Sequence, residues 1–243
     1  MSRIYGTNAV EELLDAAPQA IDRIIWTPGS GHAVDALVAR ARELGLRLEE
    51  GRGPQQRERA GGRGGAAIGA DLRPPPPLEL EALRPDDVDP APLVIALDQV
   101  TDPHNLGAIL RSAAAFGARA VVVPKDNSAP LNDAAVRASA GAVAYVPVIR
   151  VTNLARALRQ LRDQGLWTIA ADAGGDATLW DVDLTAPTAV VLGAEGRGLR
   201  PGVKKACDLV AALPLTGAVR SLNVSVTAGV ALAEAARQRR GGR

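Results

Sequence analysis

The chain has 243 residues, 47% of them apolar and 23% charged, at a net charge of +1, a globular composition that excludes a histone-like or otherwise polybasic protein. One cysteine, Cys207, cannot form an internal disulfide, and with only two histidines beside it no metal site is expected. No run approaches the roughly 18 apolar residues of a membrane span and no export leader is expected, which points to a reducing, cytoplasmic location.

In chain order, residues 8–14 carry the spacing of an amphipathic helix, and 21–26 read as a strand. Residues 34–44 read as a second helix stopped by Gly45, and 46–48 as a further strand. Together they make a small α/β unit. Residues 51–69 are rich in Gly, Arg and Gln, and Arg52, Arg57, Arg59 and Arg63 stand against one acid, Glu58. This segment reads as a mobile basic loop able to meet phosphates. The prolines at 74–77 lack amide donors and favour an extended linker, which runs to about Pro92. The expected division is therefore 1–73, a linker at 74–92, and 93–243.

Beyond the linker, apolar runs at 93–97, 120–123, 145–149, 168–171, 189–192 and 209–213 alternate with helical spacing. The helical stretches fall at about 104–116, 132–140, 152–164 and 222–239. Strands apolar on both faces and separated by helices imply an α/β fold, its parallel sheet covered on both sides.

Three stretches can carry chemistry. The turn from Asp98 to Gly107 holds neither G-x-G-x-x-G nor G-K-[ST], which argues against a nicotinamide dehydrogenase, a conventional Rossmann methyltransferase and a P-loop ATPase. Asp102 and Pro103 instead suit a helix cap, with Asn105 in the first turn. Gly107 and Arg111 share a helix face, so the glycine either leaves space beside the guanidinium or simply packs. In the second stretch, Gly193, Glu195, Gly196, Arg197 and Gly198 follow a buried strand, where backbone can approach a ligand closely or merely turn. Gly193→Val is accordingly expected to cost ligand binding rather than folding. In the third, Ser221, Asn223 and Ser225 alternate with apolar residues just before a clear helix. Ser225 and Gly229 give that helix a small-residue face, fit for core or dimer packing.

In this order the three stretches resemble the motifs of the SpoU family of RNA ribose 2′-O-methyltransferases, within the SPOUT superfamily. The matching residues run from Asn105 through Arg111 to Ser112, from Leu192 to Gly198, and through Leu213-Pro214 to Ser221-Leu222-Asn223-Val224-Ser225. The stretches Tyr5 to Val10 and Val100 to Asn105 are similar to a branch that methylates a guanosine ribose in the peptidyl-transferase P loop of 23S rRNA. The resemblance implies a small N-terminal domain similar to ribosomal protein L30e, then a catalytic domain with a C-terminal trefoil knot, acting as a homodimer. It implies S-adenosylmethionine as cofactor, held by Leu192, Gly193, Gly198, Leu213, Leu215 and Leu222. Arg111 is implied as the catalytic residue, supported by Asn105, Glu195, Ser221 and Asn223. The four arginines of the basic loop would meet the RNA. Family members often carry His-Gln-Gly near the end of the small domain, where this chain has Arg63-Gly64-Gly65. The alternatives are the same chemistry on tRNA or another rRNA loop, and an RNA-binding paralogue without catalysis.

Overall fold

Short strands with one apolar face pair into a first, four-stranded sheet. The computed structural model describes residues 2–16, 18–51, 67–73, 75–86 and 91–241. The elements β1 (Ser2–Tyr5), α1 (Thr7–Ala16), β2 (Ile21–Trp26), α2 (His32–Glu43), β3 (Arg47–Glu50) and β4 (Ile68–Leu72) follow in sequence. They assemble in the order β1-β4-β2-β3. β4 runs antiparallel to both its neighbours, and every one of its residues is buried. The basic loop expected over 51–69 therefore ends early, since Ile68 and Gly69 already belong to a central strand. Glycine and aspartate disguise that strand: Asp71 is tolerated there because Arg3 and Arg23 reach it from the two flanking strands. Arg52, Arg57, Arg59 and Arg63 lie outside the described residues. The linker also differs from an extended chain, because Leu80–Leu83 forms a 3₁₀ turn that buries Leu80 and Leu83.

The second sheet holds β5 (Leu93–Asp98), β6 (Ala120–Pro124), β7 (Val148–Val151), β8 (Trp167–Ala171), β9 (Ala177–Thr178), β10 (Thr188–Gly193) and β11 (Leu209–Ala212). Their order is β7-β6-β5-β10-β8-β11-β9, and every neighbouring pair is parallel. The helices are α3 (Pro103–Ala115), α4 (Asp133–Ala138), α5 (Leu154–Asp163), α6 (Pro201–Lys204) and α7 (Val224–Gly241). Alternate residues of each strand serve opposite faces. Leu93, Ile95, Leu97, Val121 and Val190 join the core with Ile109 of α3 and Leu232 of α7. Val94, Ala96, Val122 and Val191 join the core of α5 with Leu80 and Leu83. The parallel sheet covered on both sides is thus present. β7 starts later than the apolar run at 145–149, because a 3₁₀ turn at Ala142–Ala144 precedes it.

Asp102 caps α3 as expected, accepting the His104 N–H at 2.9 Å with Pro103 in the first turn. Gly107, by contrast, opens no space beside Arg111. A Cβ there would lie 2.4 Å from the Ala135 carbonyl oxygen and 2.6 Å from the Ala138 side chain, so α4 already fills that place. Gly107 is a packing glycine. Among the described residues, no helix is long and apolar enough to cross a membrane.

Candidate active site

The carboxyl ends of β8, β10 and β11 lie side by side, and the segments leaving them wall a cleft of about 970 Å³. In open parallel sheets this edge is where ligands sit. Ala171 ends β8 and 172–173 follow it, Leu192 and Gly193 end β10 and 194–198 follow it, and Leu213, Leu215, the residues from Arg220 to Val224, and Thr227 come after β11. All six residues expected to hold a cofactor, Leu192, Gly193, Gly198, Leu213, Leu215 and Leu222, line this one cleft.

The loop after β10 owes its shape to two glycines. Gly198 has a φ of +66°, a region that side chains with a Cβ avoid, and its N–H donates to Ala194 O at 2.8 Å. A Cβ on Gly193 would stand 2.2 Å from the Gly198 carbonyl carbon and 2.5 Å from the Leu199 nitrogen. This corrects the expectation for Gly193→Val: the clash is with the loop's own backbone, so the substitution costs the loop's fold before any ligand is considered. Past the loop, the fully buried Asp98 accepts the Arg200 N–H at 2.9 Å and its Nε at 2.8 Å, pinning the exit of the loop to the end of β5.

Three motif residues converge at the cleft. Asn223 donates through Nδ2 to Asn105 Oδ1 at 3.0 Å and to Glu195 Oε1. Glu195 also accepts the Val224 N–H, the first amide of α7, at 3.3 Å, where the helix N-terminus favours an anion. The other side of Asn223 caps α7, its Oδ1 accepting from the Ser225 N–H at 2.8 Å. The cluster thus joins α3, the β10 loop and α7, which are far apart in sequence. Ser221 lines the cleft next to it. Arg111 is exposed on α3, and is not among the residues lining the cleft.

Arg197 of the second stretch lines the same cleft, as do Asp172, Arg220 and Thr227, which were not legible as site residues. Burial, then the charges of Asp208 and Asp98, push the Cys207 thiol up to about 12, so it is no nucleophile at neutral pH. The small-residue face of α7 is half-buried: Ser225 donates to Asn223, and a Cβ on Gly229 would meet Ser112 Oγ of α3 at 3.5 Å.

Residues 92–233 match the model of the SpoU rRNA Methylase family, and residues 3–52 match that of the RNA 2′-O ribose methyltransferase substrate binding domain. A 23S rRNA (guanosine-2′-O-)-methyltransferase RlmB of Pseudomonas syringae is 42% identical, over 98% of this chain and 96% of its own. An uncharacterized tRNA/rRNA methyltransferase of Mycolicibacterium smegmatis is 50% identical over 71% of this chain and 56% of its own. Among solved structures, the SpoU methyltransferase AviRb from Streptomyces viridochromogenes in complex with AdoMet is similar at a TM-score of 0.77. It is 27% identical, with 99% of this chain and 91% of that one covered. The chain belongs to the SpoU rRNA methylase family.

Proposed function

We propose that the chain methylates the ribose 2′-oxygen of a guanosine in the peptidyl-transferase P loop of 23S rRNA, with S-adenosylmethionine as donor. The observation that carries this reading is the Asn105–Glu195–Asn223 cluster, set at the rim of a cleft lined by the loop after β10. The names of the relatives support the reaction and the rRNA substrate. The P loop as target rests on the resemblance of the N-terminal and Val100–Asn105 stretches.

The cleft suits the cofactor. Its volume lies at the upper end of the ~300–1,000 Å³ usual for such ligands. Leu192, Leu213, Leu215 and Leu222 offer apolar surface for an adenine ring, and the backbone of Gly193 and Gly198 offers edge contacts without side chains in the way. When bound, S-adenosylmethionine supplies a sulfonium methyl, so the protein's task is to orient the acceptor and stabilise charge. Asn223, held by Glu195 and the start of α7, positions the Asn105 amide through its own Nδ2. Ser221 extends the polar rim toward the ribose. A guanidinium stays protonated at working pH, so Arg111 acts by stabilising the developing 2′-oxyanion and the adjacent phosphate rather than as a base. Its exposure leaves it able to meet RNA.

The remaining parts of the reading follow the family resemblance. Residues 1–73 form an L30e-like RNA-binding domain whose Arg52, Arg57, Arg59 and Arg63 contact phosphates. Residues 74–92 form the linker, and 93–243 the catalytic domain, knotted near its C-terminus. The protein works in the cytoplasm as a homodimer. The half-buried Gly229 touches Ser112 of α3, and exposed apolar groups such as Phe116 and Val226 would contribute to the dimer contact beside the small-residue face. Mapping 2′-O-methyl groups in rRNA of a strain lacking the gene tests the target: one P-loop guanosine should lose its methyl and regain it on complementation. An unchanged P loop would overturn the proposed target.

A further inference from the structure

The carboxylate of Asp172 stands in the cleft with one oxygen engaged and the other turned elsewhere. Oδ1 accepts from Lys204 Nζ at 2.9 Å and from the Gly174 N–H at 2.9 Å. Oδ2 lies on the side of the β10 loop, where a Cβ built on Gly198 would approach it to 3.6 Å. Both Asp172 and Gly198 line the cleft. The carboxylate is held before any ligand arrives. The Asp172 N–H donates to Ala211 O at 3.0 Å, and Gly175 N–H returns to Asp172 O at 3.0 Å. A Cβ on Gly175 would strike Ala211 at 2.7 Å, so the turn after β8 is pressed against β11.

We infer that Asp172, oriented by Lys204, recognises the ribose hydroxyls of the adenosyl cofactor through Oδ2. The inference rests on the proposed binding of S-adenosylmethionine in this cleft. A fixed carboxylate oxygen at the carboxyl end of a parallel strand is an acceptor for the vicinal hydroxyls of a nucleoside, the solution dinucleotide folds reach from a different loop. The cofactor's other strong donor is its ammonium group. Lys204 already neutralises the Asp172 charge at 2.9 Å, so a second cation gains little there, whereas neutral hydroxyl donors lose nothing. The hydrogen bond from Lys204 also holds the Asp172 carboxyl below the usual carboxylate range, so the acceptor is ionised throughout neutral pH.

Calorimetry on the full chain tests this with three probes: S-adenosylmethionine, 5′-methylthioadenosine, which lacks the amino-acid part, and 5′-methylthio-2′-deoxyadenosine. Asp172→Ala should weaken the first two alike, by about ten- to a hundredfold, the usual effect of a charged hydrogen bond. Removing the 2′-hydroxyl should weaken binding to the wild type and cost nothing further in the variant. Asp172→Asn serves as the second variant, since it keeps the size of the side chain. Its amide oxygen will face Lys204 and Gly174, leaving an amide nitrogen that can only donate to the hydroxyl oxygens, so a loss smaller than that of alanine is expected. Folding of each variant is read from its melting curve. Equal affinities of wild type and folded variants, or a deoxy penalty that persists without Asp172, would overturn the inference. A loss confined to S-adenosylmethionine would also overturn it and assign Oδ2 to the ammonium. Wild-type protein that binds none of the probes would instead overturn the cofactor reading on which the inference stands.

Discussion

Two polar clusters in this chain each draw residues from distant segments around one shared group, an acceptor in the first and a donor in the second, and they differ in exposure to solvent. In the small sheet, Asp71 is buried beneath Arg3 and Arg23, with donor distances of 2.9 and 2.7 Å, and Glu49 takes the far side of Arg23 at 2.6 Å. Around the large cleft, Glu195 and Asn223 are exposed, and Asn223 donates to both Glu195 and Asn105. In the first cluster the carboxylate's partners are supplied by the sheet itself, and burial makes each of them costly to remove. In the second, water can be exchanged for a ligand at little cost, and the cluster sits on loops and helix starts at the rim of a cavity. The first is built for stability. The second is built to meet something else.

Substitutions can break this contrast, and the largest effect is expected at Arg111. Arg111→Ala should lower single-turnover methylation by about a hundred- to a thousandfold, the loss typical of one donor to a developing oxyanion. Its melting temperature and cofactor affinity should stay as in wild type, because the side chain is exposed. Lysine at this position keeps charge without the planar fork, so little recovery is expected. An alanine variant within threefold of wild type would remove Arg111 from the chemistry.

The next effect belongs to the buried cluster. Asp71→Asn should cost on the order of 2 kcal/mol in stability, less than a fully buried pair because both arginines are partly exposed. Burial alone would raise the Asp71 carboxyl, but the hydrogen bonds from Arg3 and Arg23 hold it below its ordinary value. A depressed carboxylate contributes stability that is complete above its unfolded value of ~3.9 and is lost as pH falls through the lower folded value. Denaturant melts from pH 6 to pH 2.5 should therefore show an acid loss in wild type that the Asn variant lacks. Methyl transfer by the folded variant should be unchanged; a large loss of turnover would erase the distinction between the clusters.

How much of this contrast was legible in the sequence follows from the range of the interactions involved. Six of the seven strands of the large sheet overlap apolar runs visible within six residues and were readable as such, whereas β9, two half-buried residues, carries no such run and was not. Asn105, Glu195 and Asn223 were readable because they sit within motifs, though nothing local says that their side chains meet. β4 was not legible. Its Gly69 and Asp71 resemble a turn until Arg3, 68 residues away, is brought alongside. Asp172 escaped notice for the same reason, since its partner Lys204 is 32 residues on. Gly107 and Gly193 were recognised as close-approach positions, but the neighbour that excludes a Cβ at each is the chain itself. Sequence shows that a glycine is required and not which neighbour requires it.

A smaller effect separates the two duties of Asn223. Asn223→Ser retains a capping oxygen for α7 while losing the amide that reaches Asn105 and Glu195. Stability should hold to within about 0.5 kcal/mol, and turnover should fall about tenfold, equivalent to ~1.4 kcal/mol. Parallel losses in both measurements would make the cleft cluster merely structural. The smallest effect is expected at Gly229, where alanine would meet Ser112 Oγ at an ordinary 3.5 Å. Gly229→Ala should raise stability by roughly 0.5–1 kcal/mol through helix propensity. A variant that instead falls apart into monomers on light scattering would show that a second chain packs on this face.

The central claim, methyl transfer to a ribose oxygen of rRNA from this cleft, is tested most directly by the chemistry of the product. Purified chain, S-adenosylmethionine labelled in the methyl group, and 23S rRNA lacking the modification are incubated together, and the RNA is then hydrolysed in alkali. A 2′-O-methyl group blocks cleavage at its own nucleotide, so the expected result is label in a single alkali-resistant dinucleotide that contains guanosine, abolished by Arg111→Ala. Label released as an ordinary mononucleotide, which marks a methylated base, or no label in RNA at all, would contradict the account.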